Sequence, residues 1–118
     1  MKKRINSNKK GGRGERMWRD VLIKHGYDDA YRTSQFCGNS PKGTPDVACE
    51  SLESIHFEVK FVEKLNLELA FSQAKKDAKG KMPLVAHKRS HQPWRVTMSS
   101  DDFFKILKAG DLNDKVKN

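Results

Sequence analysis

The most informative segment of this sequence is Gly43-Thr-Pro-Asp-Val-Ala-Cys-Glu-Ser-Leu-Glu-Ser-Ile-His-Phe-Glu-Val-Lys60. Residues 47–49 and 55–61 are rich in residues that favour strands, and the mostly polar residues 50–54 separate them. This pattern is typical of two strands joined by a tight connection. We therefore predict a β-hairpin in the middle of the sequence.

The side chains of this hairpin alternate between two faces, as they do in any strand. The apolar face carries Val47, Cys49, Ile55, Phe57, Val59 and Phe61. The other face carries Asp46, Ala48, His56, Glu58 and Lys60. We predict that the apolar face packs into the core, with Cys49 as a buried thiol, and that the second face carries the chemistry.

Two acids lie opposite each other on the second face if the hairpin is centred on Leu52, because Asp46 and Glu58 are equally distant from that residue. Side chains paired in this way have Cβ atoms about 5 Å apart, and like charges in such a pair destabilise a sheet. Lys60 offsets the repulsion in part, and a divalent cation bound between the carboxylates would offset it fully. Carboxylate and carbonyl oxygens are the ligands that Mg²⁺ and Mn²⁺ prefer.

The composition favours one soluble domain. A chain of 118 residues is long enough for a single core, and the two cysteines are too few for a disulfide scaffold or a four-cysteine zinc site. No stretch has the apolar length needed to cross a bilayer, and the charged amino terminus has no apolar run behind it. We therefore expect a cytoplasmic protein without membrane association.

The net charge of +9 is concentrated near the amino terminus. Residues 1–13 hold six basic groups and no acid, whereas residues 14–110 carry a formal charge of about +3. We predict a flexible basic arm over 1–13, one domain over 14–110 and a tail over 111–118. Such an arm attracts polyanions through salt-dependent contacts, although a solubilising disordered end has the same composition.

The rest of the chain predicts alternating helices and strands. The expected order is a helix over 15–25, a short strand within 27–32, a loop over 33–44, the hairpin, a helix over 67–79, strands over 84–87 and 94–98, and a helix from Ser99 to Gly110. This order predicts an α/β protein of the α+β type, in which helices pack on a mixed sheet.

Glu15 opens the first predicted helix and shares a face with Trp18 and Leu22. An acid in a first helical turn complements the helix dipole. The alternative is that Glu15 reaches the site of Asp46 and Glu58.

Several polar residues are candidates for phosphate contacts because of their charge or their place in the loop before Asp46. Turn formation and helix-end carbonyls explain the same residue types. The candidates are Lys9, Lys10, Arg13, Ser40, Lys42 and Lys75. Ser34 and Asn39 lie in the same loop.

Pro45-Asp46 followed by Glu58-Val59-Lys60, with Glu15 in a preceding helix, resembles the PD-(D/E)XK nuclease superfamily. Over residues 11–98 the chain is most similar to archaeal-type Holliday-junction resolvases and related phage proteins. The shared features are a basic Gly-rich start, a Ser/Gly loop before Asp46 and a Pro-Leu-Val strand after the second helix. The resemblance implies a restriction-endonuclease-like core.

The resemblance also implies roles for the residues that match the motif. Asp46 and Glu58 would bind the metal, with the Val59 carbonyl as a third ligand. Lys60 would position or activate the attacking water, and Glu15 would complete the acidic cluster by holding the metal or a water molecule. Such a site fits phosphodiester hydrolysis, in which a cation stabilises developing charge and lowers the pKa of water.

These inferences predict a structure-selective DNA endonuclease that depends on Mg²⁺, with Mn²⁺ as a substitute, and that cuts branched double-stranded DNA as a Holliday-junction resolvase. Paired symmetric cuts imply a homodimer. The alternatives are a virus-type replication-repair nuclease acting on flaps, a catalytically inactive nucleic-acid-binding protein of the same fold, and a basic interaction module. His56 is either a substrate contact or a surface residue. Gln73 matches a helix glutamine of some relatives or simply faces solvent.

Overall fold

The computed structural model describes residues 7–33 and 45–110, with the backbone alone described for residues 7–10. In chain order the elements are α1 (Ser7–Lys24), β1 (Tyr31–Arg32), β2 (Val47–Ala48), a 3₁₀ turn (Glu50–Leu52), β3 (Ile55–Phe61), α2 (Leu67–Ala78), β4 (Met82–Lys88), β5 (Arg95–Thr97) and α3 (Ser100–Ala109).

Within the described residues, five strands form one sheet in the order β1-β2-β3-β4-β5. Strands β3 and β4 are parallel, and the other neighbouring pairs are antiparallel. Helix α1 packs on one face, where the Trp18 and Phe57 rings lie 5.9 Å apart. Helix α2 packs on the other through Ala70 and Ala74, which contact Val85. The predicted mixed sheet flanked by helices is therefore confirmed.

The central hairpin has the predicted register. Val47 pairs with Phe57, and the antiparallel direction then places Asp46 opposite Glu58. Val47, Cys49 and Phe57 are buried in the core beneath α1. The Cys49 thiol is buried as predicted and donates a hydrogen bond of 3.1 Å to Asp29 Oδ1.

Helix α1 begins eight residues earlier than predicted, because residues 7–13 of the expected flexible arm are helical. The glycines at positions 11, 12 and 14 argue against a helix, but the last of them permits its packing. A Cβ at Gly14 would lie 2.7 Å from Phe61 Cβ, so only glycine lets α1 approach β3 so closely. The Arg13 guanidinium carbon also lies 5.5 Å from the Phe61 ring centroid. Residues 1–6, 34–44 and 111–118 of the predicted arm, loop and tail lie outside the described residues.

The ends of the other two helices match their sequence signals. Asn66 Oδ1 caps α2 by accepting the Leu69 N–H at 3.1 Å, and α2 ends where Lys79 and Gly80 take positive φ angles of 51° and 91°. Ser99 Oγ caps α3 by accepting the Asp102 N–H at 3.1 Å. Across the described parts of the chain, none of the helices combines the length and apolar character needed to span a membrane.

Candidate active site

Asp46 is held at the open end of the hairpin by β3. Its backbone N–H donates to the Phe57 carbonyl at 3.1 Å, and its Oδ2 accepts the Val59 N–H at 2.8 Å. Because β2 begins only at Val47, the Asp46 side chain takes the place of a backbone partner for Val59. One carboxylate oxygen is thus committed to β3, and the other is left for a ligand.

The surroundings of Asp46 disfavour its charge. Burial, the negative charge of Glu58 and the charge of Glu15 together raise the pKa of Asp46 to about 7, against the opposing effects of the Val59 N–H and Lys60. Burial is the largest of these causes. The carboxylate that the sequence predicts as a cation ligand therefore lies where a positive charge is needed to keep it ionised.

Glu58 lies between two basic side chains on β3. Lys60 Nζ is 3.8 Å from Glu58 Oε1, and His56 Nε2 is 3.7 Å from Glu58 Oε2. The Glu58 side chain is 11% exposed, whereas the Lys60 side chain is 36% exposed. The lysine thus connects the buried acid to solvent.

His56 is 1% exposed, so its interpretation as a surface histidine or substrate contact is wrong. Its Nε2 is buried without a hydrogen-bond partner and faces Glu58. Helix α2 covers this face because Ala70 and Ala74 let it lie close to the sheet. Two features of the sequence could have predicted this burial. His56 lies two residues before Glu58 and so shares its face of β3, and the spacing of the alanines in α2 favours close packing on that face.

Thr33 positions the chain just before β2 and was not predicted as a site residue. Its Oγ1 donates to the Pro45 carbonyl at 2.7 Å, and its backbone N–H donates to the Asp46 carbonyl at 3.3 Å. Thr33 is 6% exposed, so these bonds are shielded from water. They fix the segment that carries Asp46, and no local sequence motif predicts them.

Glu15, which the resemblance implies holds the metal or a water molecule, pairs with Arg32 in this structure. Its Oε1 accepts bonds from Arg32 Nε at 3.2 Å and Nη2 at 3.1 Å. Among residues 7–33 and 45–110, no three His, Cys, Asp or Glu side chains are grouped closely enough to hold a metal ion. The helix-dipole interpretation is wrong, since Glu15 lies more than two turns after Ser7. Glu15 acts on the site through its charge near Asp46.

The donor set that remains fits one hard cation. Asp46 and Glu58 provide oxygen atoms on one face, and their mutual repulsion is the unfavourable interaction that a cation would remove. The Val59 carbonyl points to the same edge of β3 as the Val59 N–H, which meets Asp46. Two carboxylates and a carbonyl are ligands of the kind that Mg²⁺ binds, with water completing its coordination.

The structure describes the side chains of only some of the predicted phosphate contacts. Arg13 is exposed and lies over the Phe61 ring, and Lys75 is exposed on α2. Lys9 and Lys10 belong to α1, but their side chains lie outside the described residues, as do Ser40 and Lys42 entirely. Gln73 faces solvent and donates to Asp77 Oδ2 at 2.9 Å.

No protein-family model matches the sequence, and no curated protein matches it. The chain is similar to a solved structure of Hjc, a Holliday junction resolvase from the hyperthermophilic archaeon Archaeoglobus fulgidus, with a TM-score of 0.47 and 26% sequence identity. The match covers 70% of this chain and 73% of that chain.

Proposed function

We propose that this chain is a Mg²⁺-dependent DNA endonuclease that hydrolyses phosphodiester bonds in branched double-stranded DNA, as a Holliday-junction resolvase does. The observation that carries the proposal is the binding of the Asp46 carboxylate to the Val59 N–H on β3 at 2.8 Å, directly beside Glu58, with Lys60 Nζ 3.8 Å from Glu58. Two carboxylates and a lysine on one face are the groups that metal-assisted hydrolysis of a phosphodiester needs.

Each group in the site has a distinct part in this mechanism. Asp46, Glu58 and the Val59 carbonyl would hold the cation, for which Mn²⁺ would substitute. A bound Mg²⁺ would stabilise the charge that develops on the phosphate and lower the pKa of the attacking water. Lys60 extends from the buried acid toward solvent, where its ammonium group orients the attacking water and offsets negative charge on the phosphate.

The surrounding residues keep these groups in place. Thr33 fixes the backbone of Asp46, and the Val59 N–H fixes its carboxylate. His56 faces Glu58 from the buried side and restricts the orientations of that carboxylate. Preorganised groups of this kind do not have to be rearranged when the reaction occurs.

The proposed substrate is branched DNA, and the proposed active form is a homodimer. The proposed location is the cytoplasm. Two symmetric cuts require two equivalent sites, and a two-fold dimer provides them. We propose that α3 contacts a second copy of this chain. Its Phe103 and Phe104 side chains are 46% and 56% exposed, and their rings lie edge to face at 5.4 Å. Two adjacent exposed aromatic rings are typical of a contact surface.

Cleavage of a synthetic four-way junction tests the activity. The wild-type chain should make paired, symmetric nicks in Mg²⁺ and none in EDTA, and Asp46→Asn and Glu58→Gln should each lose at least a hundredfold in rate. Asp20→Asn removes an exposed acid that pairs with Arg19 and serves as the matched control, with unchanged cutting. Undiminished cutting by both site variants would refute the assignment, and faster cutting of a flap than of a junction would redirect it to a replication-repair nuclease.

A further inference from the structure

A row of basic side chains crosses the sheet from the candidate active site to its far edge. Lys60 on β3 pairs with His87 on β4, and His87 pairs with Arg95 on β5. Residues paired across neighbouring strands project to the same face, so all three share the face of Glu58. Adjacent strands lie about 4.8 Å apart, which places Arg95 about 10 Å from Lys60.

A groove follows this row. Its first part is lined by Lys60, Lys64 and Gln73. The second part is lined by Lys64, His87 and Arg89, and the third is a cavity of about 170 Å³ lined by His87, Arg89, Gln92 and Arg95. Because each part shares lining residues with the next, the three parts lie next to one another between Lys60 and the β4–β5 turn.

The charge of the groove is positive. Among the described residues that line it, Lys60, Lys64, Lys88, Arg89 and Arg95 are basic and Glu63 is acidic. The Glu63 carboxylate is engaged by the protein, since its Oε2 accepts the Ser90 N–H at 2.9 Å. Burial and the charge of Arg95 lower the pKa of His87, so His87 contributes hydrogen bonding rather than charge and contacts Thr97 Oγ1 at 2.9 Å.

The β4–β5 turn that carries Arg89 is fixed before any ligand binds. The Gln92 N–H donates to the Arg89 carbonyl at 3.1 Å, and the Lys88 ammonium donates to the same carbonyl at 3.1 Å. His91 adopts a φ of 63°, a left-handed conformation that costs a non-glycine residue energy and that clusters at ligand-binding segments. The exposed Arg89 and Arg95 are thus presented from a hydrogen-bonded turn and the strand that follows it.

We propose that this groove is a second phosphate-binding site, which holds the DNA backbone on the β4–β5 side of the scissile bond through Arg89 and Arg95. The inference rests on the proposed function for the position of the cut. The contact itself is sequence-independent, because phosphates carry no base information.

The salt dependence of DNA binding in EDTA tests the site without any cleavage. The test variant is the full chain with Arg89→Gln and Arg95→Gln. The matched control removes two exposed charges away from this turn, Lys24→Gln at the end of α1 and Lys81→Gln before β4. Fluorescence anisotropy with a four-way junction gives the slope of log affinity against log salt for each protein, and thermal melting confirms that each is folded.

The test pair should reduce the magnitude of the slope by about 1.8, since each phosphate contact contributes about 0.9. Between 50 and 200 mM salt, the wild-type affinity should therefore fall by about tenfold more than that of the test variant. Arg89→Lys with Arg95→Lys should restore the slope, because charge is what the contact requires. A wild-type slope in the test pair, or an equal reduction in the control pair, would overturn the proposal.

The same variants separate this inference from the proposed function. If the groove is a phosphate site in a nuclease, the test pair should raise KM with kcat within about twofold, because the contact precedes and persists through the reaction. If the test variant has a reduced slope but the wild-type chain never cuts DNA, the phosphate site stands and the nuclease assignment is rejected. If the wild-type chain cuts DNA and the test variant keeps the wild-type slope, the nuclease assignment stands and the phosphate site is rejected.

Discussion

The raised pKa of Asp46 predicts that ionisation of this carboxyl destabilises the folded chain as the pH rises, when no divalent cation is present. Well below its ordinary pKa of 3.8, Asp46 is protonated in both the folded and the unfolded chain. Between the ordinary pKa of 3.8 and the folded value of about 7, the folded state binds more protons than the unfolded state. The free energy of unfolding therefore falls as the pH rises through this window and reaches its full deficit above pH 7.

The size of the deficit follows from the two pKa values. The difference between 3.8 and about 7 corresponds to about 4 kcal/mol, and solvent screening at this partly exposed carboxylate reduces the effect to about 2 kcal/mol. Asp46→Asn removes the charge but leaves an amide oxygen that can accept the Val59 N–H. The variant should therefore be about 2 kcal/mol more stable than the wild-type chain at pH 8 and equal to it at pH 4.

Urea unfolding in EDTA measures this difference at a single protein concentration. Fluorescence reports the core directly, because the Trp18 and Trp94 rings lie 5.2 Å apart. Mg²⁺ should restore stability to the wild-type chain at pH 8 and not to the variant, since a ligand stabilises only the state that binds it. Asp20→Asn controls for the removal of an acid. Equal free energies of unfolding for the wild-type chain and Asp46→Asn at both pH 4 and pH 8 would refute the reasoning.

Three further substitutions test the packing and charges around the site. Gly14→Ala should lower the free energy of unfolding by about 1–3 kcal/mol, as measured by urea titration, because the new Cβ would lie 2.7 Å from Phe61 Cβ; an unchanged midpoint would contradict this packing. Ser99→Ala should cost about 1 kcal/mol in the same titration through loss of the α3 cap, and no loss would show that the cap contributes nothing. Glu15→Gln should lower the pKa of Asp46, because the charge of Glu15 raises it; a carboxyl NMR titration checks the direction, and a rise would contradict it.

The sequence predicts the hairpin and its register because strand alternation is a local pattern. Val47 pairs with Phe57 as the Leu52-centred register requires, and the Ser99 cap likewise depends on neighbouring residues. The start of α1 could not be predicted in this way. Glycine disfavours a helix locally, and the close approach of Gly14 to Phe61 joins residues far apart in the chain.

The same distinction separates the predicted and unpredicted parts of the site. Asp46, Glu58 and Lys60 share a face through strand geometry, so their proximity follows from the sequence. The partner of Glu15 is Arg32 on another element, and the burial of His56 depends on how α2 lies against the sheet. Both depend on tertiary packing, which periodicity alone does not specify.

The central claim is that Asp46 and Glu58 bind a divalent cation together. Anomalous diffraction from crystals of the wild-type chain soaked in Mn²⁺, with Asp46→Asn crystals as the control, tests it most directly. A peak should appear between the two carboxylates of the wild-type chain, about 2.0–2.3 Å from their oxygens, and should be absent in the variant. A well-ordered site with no peak between Asp46 and Glu58, or a peak that Asp46→Asn leaves unchanged, would contradict it.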